Sequence, residues 1–514
     1  MYRLRTTKTK SKATAVQVVQ YSNRKTVVLK HIGSTKDKKE LTLLKISAKN
    51  WIKSHDPQQR LFTQRVHSSR TPKKPSSSQV LVLNQVELIS THSTFTYQIL
   101  TLILSKLGFT NLLKNSPNRQ LLLDLVIARL IKPVSKLESV NFLRQEFNIN
   151  YSRSYVYREL KEYTALKDKV EQLVVNVAKK HFSFNFKLIY YDVSTLYFES
   201  FKSDDELKQC GFSKDHKFNQ PRIVIGLVVN DQGFPVSYQI FKGNKFEGHT
   251  FIPVIEKLQQ KHAIKTLTIV ADAAMISQQN IDQLKRKKLT YIVGARVGNL
   301  SQKVIKQIST ALKQQDQVAI RLKTKRGELI CQFSQSRHYK DKSETTKQVT
   351  KAKNTLEKNP EKASKRLKFI KKSKDKEKLE FNQKLLDKTK LLWGIKGYYT
   401  NLKEIEISNQ EVINQYRQLW KVEKAFRITK SDLQARPIYL RNTDTIKAHL
   451  LICFLALSVA KYMEIKSGLS LNKAIQLLQT VKDAKIKNKL TNEVVTLTSS
   501  PSSDVDNFIQ KLGF

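Results

Sequence analysis

Three acidic residues stand in apolar surroundings: Asp192 in the run LIYYDVSTLYF, Asp272 at the end of TLTIVAD, and Glu423 inside YRQLWKVEKAFRITK. A carboxylate taken out of water is costly unless a cation or a metal meets it. One aspartate at a strand end is ordinarily a cap or half of an ion pair. Three that converge, two from neighbouring strands and one from a helix across their face, make a set of hard oxygen donors suited to Mg²⁺ or Mn²⁺. Two such ions about 4 Å apart activate an attacking oxygen and stabilise a leaving oxygen at phosphorus. The chemistry this pattern points to is phosphodiester cleavage or transfer.

The composition supplies the matching substrate class. The 514-residue chain carries 93 Lys+Arg against 43 Asp+Glu, a formal net charge of +50. That excess calls for a polyanion, and DNA or RNA suits it better than an acidic membrane surface. The longest apolar run, Ala448 to Ala460, is interrupted by His449 and is too short to span a bilayer. The basic amino terminus lacks the apolar stretch of a secretory signal. Cys210, Cys331 and Cys453 are far apart, which fits a reducing cytoplasm and neither a disulfide framework nor a zinc site. There is no Ser/His/Asp nucleophile pattern. Gly243 and Gly248 make only a turn, so nothing suggests a nucleotide cofactor.

The elements that must position the acids follow in order. Residues 1–75 form a basic arm with a hairpin over Ala15 to Ile32, turning at Ser22-Asn23, and Arg70 to Ser78 reads as a linker. Residues 80–185 are helical, with helices at Gln120 to Ile131 and Ser135 to Phe147. The latter, a short polar turn and a further helix from Tyr151 are compatible with a helix-turn-helix presenting Arg153, Tyr155 and Arg158, or with a plain bundle. Residues 186–300 read β-β-β-α-β-α-β, with Asp192 on the first strand and Asp272 on the strand after the first helix. Residues 301–390 interrupt this pattern with strands and then a lysine-rich segment, expected to be solvated and partly disordered. Residues 391–470 return to a strand, the Glu423 helix and a buried helix over Thr443 to Met463. Residues 471–514 read as a helical, then polar tail.

The stretch from Tyr416 to Lys430 reads as one helix without Gly or Pro, with Glu423 in an apolar stripe through Leu419, Trp420, Phe426, Arg427 and Lys430. Lys430 falls seven residues beyond Glu423, on the same face of a regular α-helix. The block resembles the Tyr-x2-Arg-x3-Glu-x6-Lys signature of bacterial insertion-sequence transposases with a DDE catalytic triad. Tyr416, Glu423 and Lys430 match in register. Leu419 stands where the signature has arginine, and Arg417 is the neighbouring alternative. The resemblance extends to YDVSTLYF from Tyr191, GFSKD from Gly211, KGNKFEGHT from Lys242, VADAAM from Val270 and LQARPIY from Leu433.

The resemblance implies an α/β protein with an RNase H-like core, a mixed sheet with flanking helices. It implies a large β-containing insertion and a helical DNA-binding region ahead of the core. It implies Asp192, Asp272 and Glu423 as catalytic residues and ligands of two Mg²⁺ or Mn²⁺ ions, with Tyr416, Arg417, Trp420, Arg427 and Lys430 on the DNA. The implied activity is cut-and-paste transposition of an insertion sequence: cleavage at terminal inverted repeats, then strand transfer into target DNA. The implied setting is a homodimer in a synaptic complex, in a bacterial cytoplasm. A nuclease without strand transfer and an inactive, DNA-binding descendant are the alternatives.

Overall fold

The computed structural model describes residues 2–9, 11–22, 25–55, 85–113, 118–204, 206–211, 219–275, 277–358, 367–372, 379–489 and 491–514. The linker Arg70 to Ser78, the turn residue Asn23 and residues 212–215 of the GFSKD motif lie outside these. The chain divides into two compact units, Met1–Tyr97 with Leu477–Asp506, and Gln98–Gln476 with Asn507–Phe514.

In the first unit, β1 (Tyr2–Lys8), β2 (Thr14–Ser22) and β3 (Lys25–Thr35) form an antiparallel meander. Helix α1 (Lys38–His55) packs on it. Val16, Val18 and Ile32 from the sheet meet Ala48 of the helix, with Leu41, Leu44 and Trp51 around them. Residues 2–55 of the basic arm are therefore largely a small folded layer with its own core, and the expected hairpin is two of its three strands. A second sheet joins β4 (Val86–His92) to two strands from near the carboxyl terminus, described below.

The second unit begins within helix α2 (Thr94–Lys106), followed by α3 (Asn118–Ile131), α4 (Lys136–Phe147), α5 (Arg153–Glu162) and α6 (Lys167–Phe182). The hydroxyls of Ser135 and Ser152 accept the amides of Glu138 and Tyr155 and so cap α4 and α5. Asn148 closes α4 in a left-handed conformation. Arg153 and Arg158 are exposed, whereas the Tyr155 hydroxyl donates to Asn118 Oδ1 at 2.9 Å.

Next come β5 (Leu188–Tyr197), β6 (Arg222–Val229), β7 (Pro235–Lys242), α7 (Phe251–His262), β8 (Thr268–Ala271), α8 (Gln278–Arg286) and β9 (Thr290–Ala295). After them run α9 (Gln302–Leu312), β10 (Ala319–Thr324), β11 (Gly327–Phe333), α10 (Gln335–Lys358), β12 (Ile370–Lys372), β13 (Leu379–Phe381), α11 (Gln383–Lys390) and β14 (Ile395–Thr400). Eight of the strands form one mixed sheet in the order β10-β11-β14-β9-β8-β5-β6-β7. The pairs β5–β8 and β8–β9 are parallel and the others antiparallel. The protein is thus α/β with a large mixed sheet.

The inserted segment departs from expectation. Its strands β10 and β11 extend the main sheet through β14. The described residues of its lysine-rich part fold: Ala352 of α10, Phe369 and Ile370 at the start of β12, and Leu386 of α11 make a hydrophobic cluster. Described lysines such as Lys342, Lys351, Lys353 and Lys371 are exposed, while a few well-spaced apolar residues hold the layer.

Helices α12 (Asn409–Arg417), α13 (Trp420–Arg427) and α14 (Thr443–Ser467) follow. The apolar run around His449 lies within the 25-residue α14, which is long and apolar enough to cross a membrane. Of its most apolar window 89% is buried inside the protein, against α3, α5 and β7 among others. It is the central core helix of its unit. The chain ends in α15 (Leu471–Leu478), β15 (Asp483–Asn488), β16 (Val494–Thr498) and α16 (Ser503–Lys511). The last residues are therefore no plain tail: β15 pairs with both β16 and β4.

Candidate active site

The parallel register of β5 and β8 sets Tyr191 opposite Ala271, so Asp192 and Asp272 are the next residues along neighbouring strands. Strands so paired lie about 4.8 Å apart. Alternation then assigns faces. Tyr191 points to Thr250, its hydroxyl 2.7 Å from the threonine Oγ1. Tyr190 and Asp192 face the other way. On that side Tyr190 feels the charge of Glu411 in α12, and α13 packs over β5 and β6. Asp192 is half-buried under this helical layer, while Asp272, just past the end of β8, is exposed.

The helix carrying Glu423 is not continuous. After α12 the chain turns at Gln418 and Leu419, resumes as α13, and loosens into a π-turn over Ile428–Asp432. The sheet explains the break. Helix α12 packs on β8, β9, β10 and β14, whereas α13 packs on β5 and β6. One straight helix cannot follow a twisted sheet across both halves. Leu419, 5% exposed, is buried at the joint.

Glu423 itself is exposed, and α13 buries Val422, Ala425 and Phe426 instead. The expected acid within an apolar stripe is thus an acid on the stripe's rim, beside Trp420, which is 49% exposed. Two lysines clamp the helix. Lys421 donates to the carbonyl of Asp231 in the β6–β7 turn, and Lys424 pairs with Glu464 of α14.

Tyr416 links the acids. It is 7% exposed, and its hydroxyl donates to Asp272 Oδ1 at 3.3 Å. Burial first, then the charges of Asp272 and Glu423, hold this phenol above the ordinary tyrosine value, so it stays a donor. Lys396 of β14 lies over its ring at 4.9 Å. Partial burial and Arg337 push Lys396 down, and Asp272 and Glu423 oppose them. One tyrosine and one lysine thus sense both Asp272 and Glu423. Beside them is a cavity of about 480 Å³, lined by Asp272, Tyr416, Lys396, Arg337 and Trp393 among others. Among the described residues no three acidic, histidine or cysteine side chains stand close enough to grip a metal.

The residues expected on DNA are distributed unevenly. Tyr416 is turned inward to Asp272. Arg417 donates from Nη2 to Gln332 Oε1 of β11 at 3.0 Å. Trp420 and Arg427 are exposed. Lys430 sits in the π-turn, its ammonium 6.0 Å from the Phe426 ring. A π-turn holds more residues than an α-turn, so the α-helical spacing from Glu423 to Lys430 does not apply there.

Sequence reasoning missed several supporting residues. Asn280 of α8, 6% exposed, donates at 2.8 Å to the carbonyls of both Gly248 and Met275. It ties the loop after β7 to the turn after Asp272. Gly294 of β9 leaves room for Tyr416: a Cβ there would stand 2.5 Å from the tyrosine oxygen. A buried asparagine at the start of an amphipathic helix was the one readable sign.

The family described as Transposase DDE domain matches residues 194–459, just over half of the chain. The chain belongs to this transposase DDE family. The match takes in Asp272 and Glu423 and begins just after Asp192. Among solved structures, this DDE-family chain is similar to the piggyBac transposase synaptic complex with hairpin DNA, with a TM-score of 0.39 and 9% identity over 69% of this chain and 68% of that one. It is also similar to the Mos1 transposase paired-end complex with the left transposon end, with a TM-score of 0.16 and 14% identity over 48% of this chain and 66% of that one. No curated protein matches the chain in sequence.

Proposed function

We propose that this protein is the transposase of a bacterial insertion sequence. In this reading it cuts DNA at terminal inverted repeats and joins the freed ends to a target, from an RNase H-like core. The observation that carries the reading is the register that sets Asp192 beside Asp272 beneath the α12–α13 layer bearing Glu423, within a transposase-family chain. The strand order β7-β6-β5-β8-β9, with only the last two pairings parallel, supports the RNase H-like assignment. The net charge of +50 supports DNA as substrate.

The donor types suit a hard divalent cation: Asp192 on β5, Asp272 just past β8 and Glu423 on the facing helix are carboxylates, two of them exposed, although the three are not gathered within gripping distance of one ion. Asp192, Asp272 and Glu423 would hold Mg²⁺ or Mn²⁺, as two ions, which when bound supply an activated oxygen nucleophile and neutralise the leaving oxygen. The chain's own residues do the rest. Tyr416 orients Asp272 by its hydrogen bond. Lys396 and Arg337, lining the cavity beside Asp272, offer positive charge to a phosphodiester there. Exposed Trp420 and Arg427 extend that surface along α13, and Lys430 continues it. A homodimer pairing two DNA ends in the cytoplasm completes the reading.

The deciding experiment incubates the full chain with terminal-repeat DNA, Mg²⁺ and a target plasmid. Joined products are expected. Asp192→Asn, Asp272→Asn and Glu423→Gln should each abolish cleavage while binding of the ends persists. Cleavage without joining would assign a nuclease instead. Binding without cleavage in the unaltered protein would assign an inactive descendant, and cleavage that survives all three changes would show the site to be misplaced.

A further inference from the structure

Away from the carboxylates, α3, the first turn of α4, α14 and residues 434–440 line a cavity of about 590 Å³. It shares no lining residue with the cavity beside Asp272. Its wall contains Arg129 and Lys136, 3% and 4% exposed, and His449, 6% exposed. Arg129 donates from Nη1 to the Leu433 carbonyl at 3.4 Å, but among the described residues its Nε and the Lys136 ammonium have no hydrogen-bond partner. The acid in the lining, Glu138, is exposed, and its carboxylate accepts from Asn141.

Two buried basic groups in one wall, without a buried acid among its described residues, are the reverse of what folding alone selects. Burial, with the charge of Arg129, pushes Lys136 far down, and burial does the same to His449. The same wall is the amino terminus of the twelve-residue α4. Ser135 caps the amide of Glu138, while the amides of the first turn have no partner within a helix. An arginine fork, an ammonium and helix amides together match a tetrahedral oxyanion that offers several acceptors at once.

We propose that this cavity is a binding site for a phosphate group, held by Arg129, Lys136 and the amino terminus of α4. Its volume admits more than a bare ion, and Tyr439, 63% exposed, lines it. The phosphate comes either from DNA or from a free anion. The DNA source rests on the transposase reading, whereas the site itself does not.

The test is thermal unfolding of the full chain, with inorganic phosphate added at constant ionic strength. Phosphate should raise the Tm of the unaltered protein and of a surface control, Lys180→Met, in a saturable way, and should leave Lys136→Met unmoved. Equal shifts in all three would overturn the site. Should Lys136→Met fail to fold, crystals of the unaltered chain soaked in tungstate decide. Tungsten between Arg129 and Lys136 supports the proposal, and tungsten only elsewhere overturns it. Duplex DNA separates the sources. If DNA supplies the phosphate, Lys136→Met weakens duplex binding several-fold and lowers the salt slope by about one. If duplex binding is unchanged while the phosphate response is lost, the ligand is a free anion. A phosphate response in a chain that neither cuts nor joins DNA would leave this site standing and remove the transposase reading alone.

Discussion

The hydroxyl of Tyr416, at the end of α12, donates to Oδ1 of Asp272, at the end of β8. The tyrosine thus acts on a carboxylate from inside the protein, and the phenol is buried. Its replacement by phenylalanine keeps the ring and removes one hydrogen bond to a charged group, about 1.5 kcal/mol. Tyr416→Phe should lower cleavage about tenfold and raise the Mg²⁺ concentration needed for half-maximal rate. A metal titration of the cleavage rate checks this. Because Tyr416 is held above the ordinary tyrosine value, the contribution should persist through the mildly alkaline range.

Gly294 makes the space that Tyr416 occupies. A Cβ there meets the tyrosine oxygen at 2.5 Å and the Cβ of Ala273 at 3.2 Å. Gly294→Ala should therefore cost about 1–3 kcal/mol by overpacking. The cost should shrink when Tyr416→Phe removes the opposing oxygen. Urea denaturation of the two single variants and the double variant measures this coupling, and additive costs would refute the contact.

Asn280 serves two buried carbonyls with one amide group. Asn280→Ala leaves both without that donor and should destabilise the protein by about 2–3 kcal/mol. Because the carbonyls belong to the loop after β7 and the turn after Asp272, DNA cleavage should fall more than duplex binding does. Parallel cleavage and filter-binding assays on the variant separate the two effects.

Glu464 fixes α13 to α14. Burial alone would raise its carboxyl, but hydrogen bonds from Lys424 and Lys461 outweigh burial and hold it below the ordinary glutamate value. A folded-state value below the unfolded one means stability present at neutral pH and lost as pH falls through the folded value. Glu464→Gln should cost about 1–2 kcal/mol at neutral pH, and the cost should vanish in acid. Denaturation midpoints from about pH 3 to about pH 8 should show a flatter acid limb in the variant.

Much of the unit built on the large mixed sheet could be read from the chain. The strand over Arg222–Val229 and the helix starting at Phe251 match their expected places, because a continuous apolar run and an amphipathic period are local signals. The two apolar strands that each carry one acid were legible too, and their parallel pairing sets Tyr191 opposite Ala271. What escaped was set by partners remote in sequence. The break at Gln418 depends on the sheet beneath it, the inward turn of Tyr416 depends on Gly294, and the exposure of Glu423 depends on which side of α13 finds β5. Helix α1 escaped for another reason: its lysines masked the spacing of Leu41, Leu44, Ala48 and Trp51.

The inserted strands continue the main sheet, and that has a practical corollary. An appended module can be removed at its hinges, but this segment has none of that kind. Deleting residues 301–390 would strip β10 and β11 from β14 and leave a row of bare amides and carbonyls along its outer side. Such an edge recruits other chains. A minimal version of this protein is therefore better sought by trimming α10 and the β12–β13 hairpin than by cutting back to the strands that carry the acids.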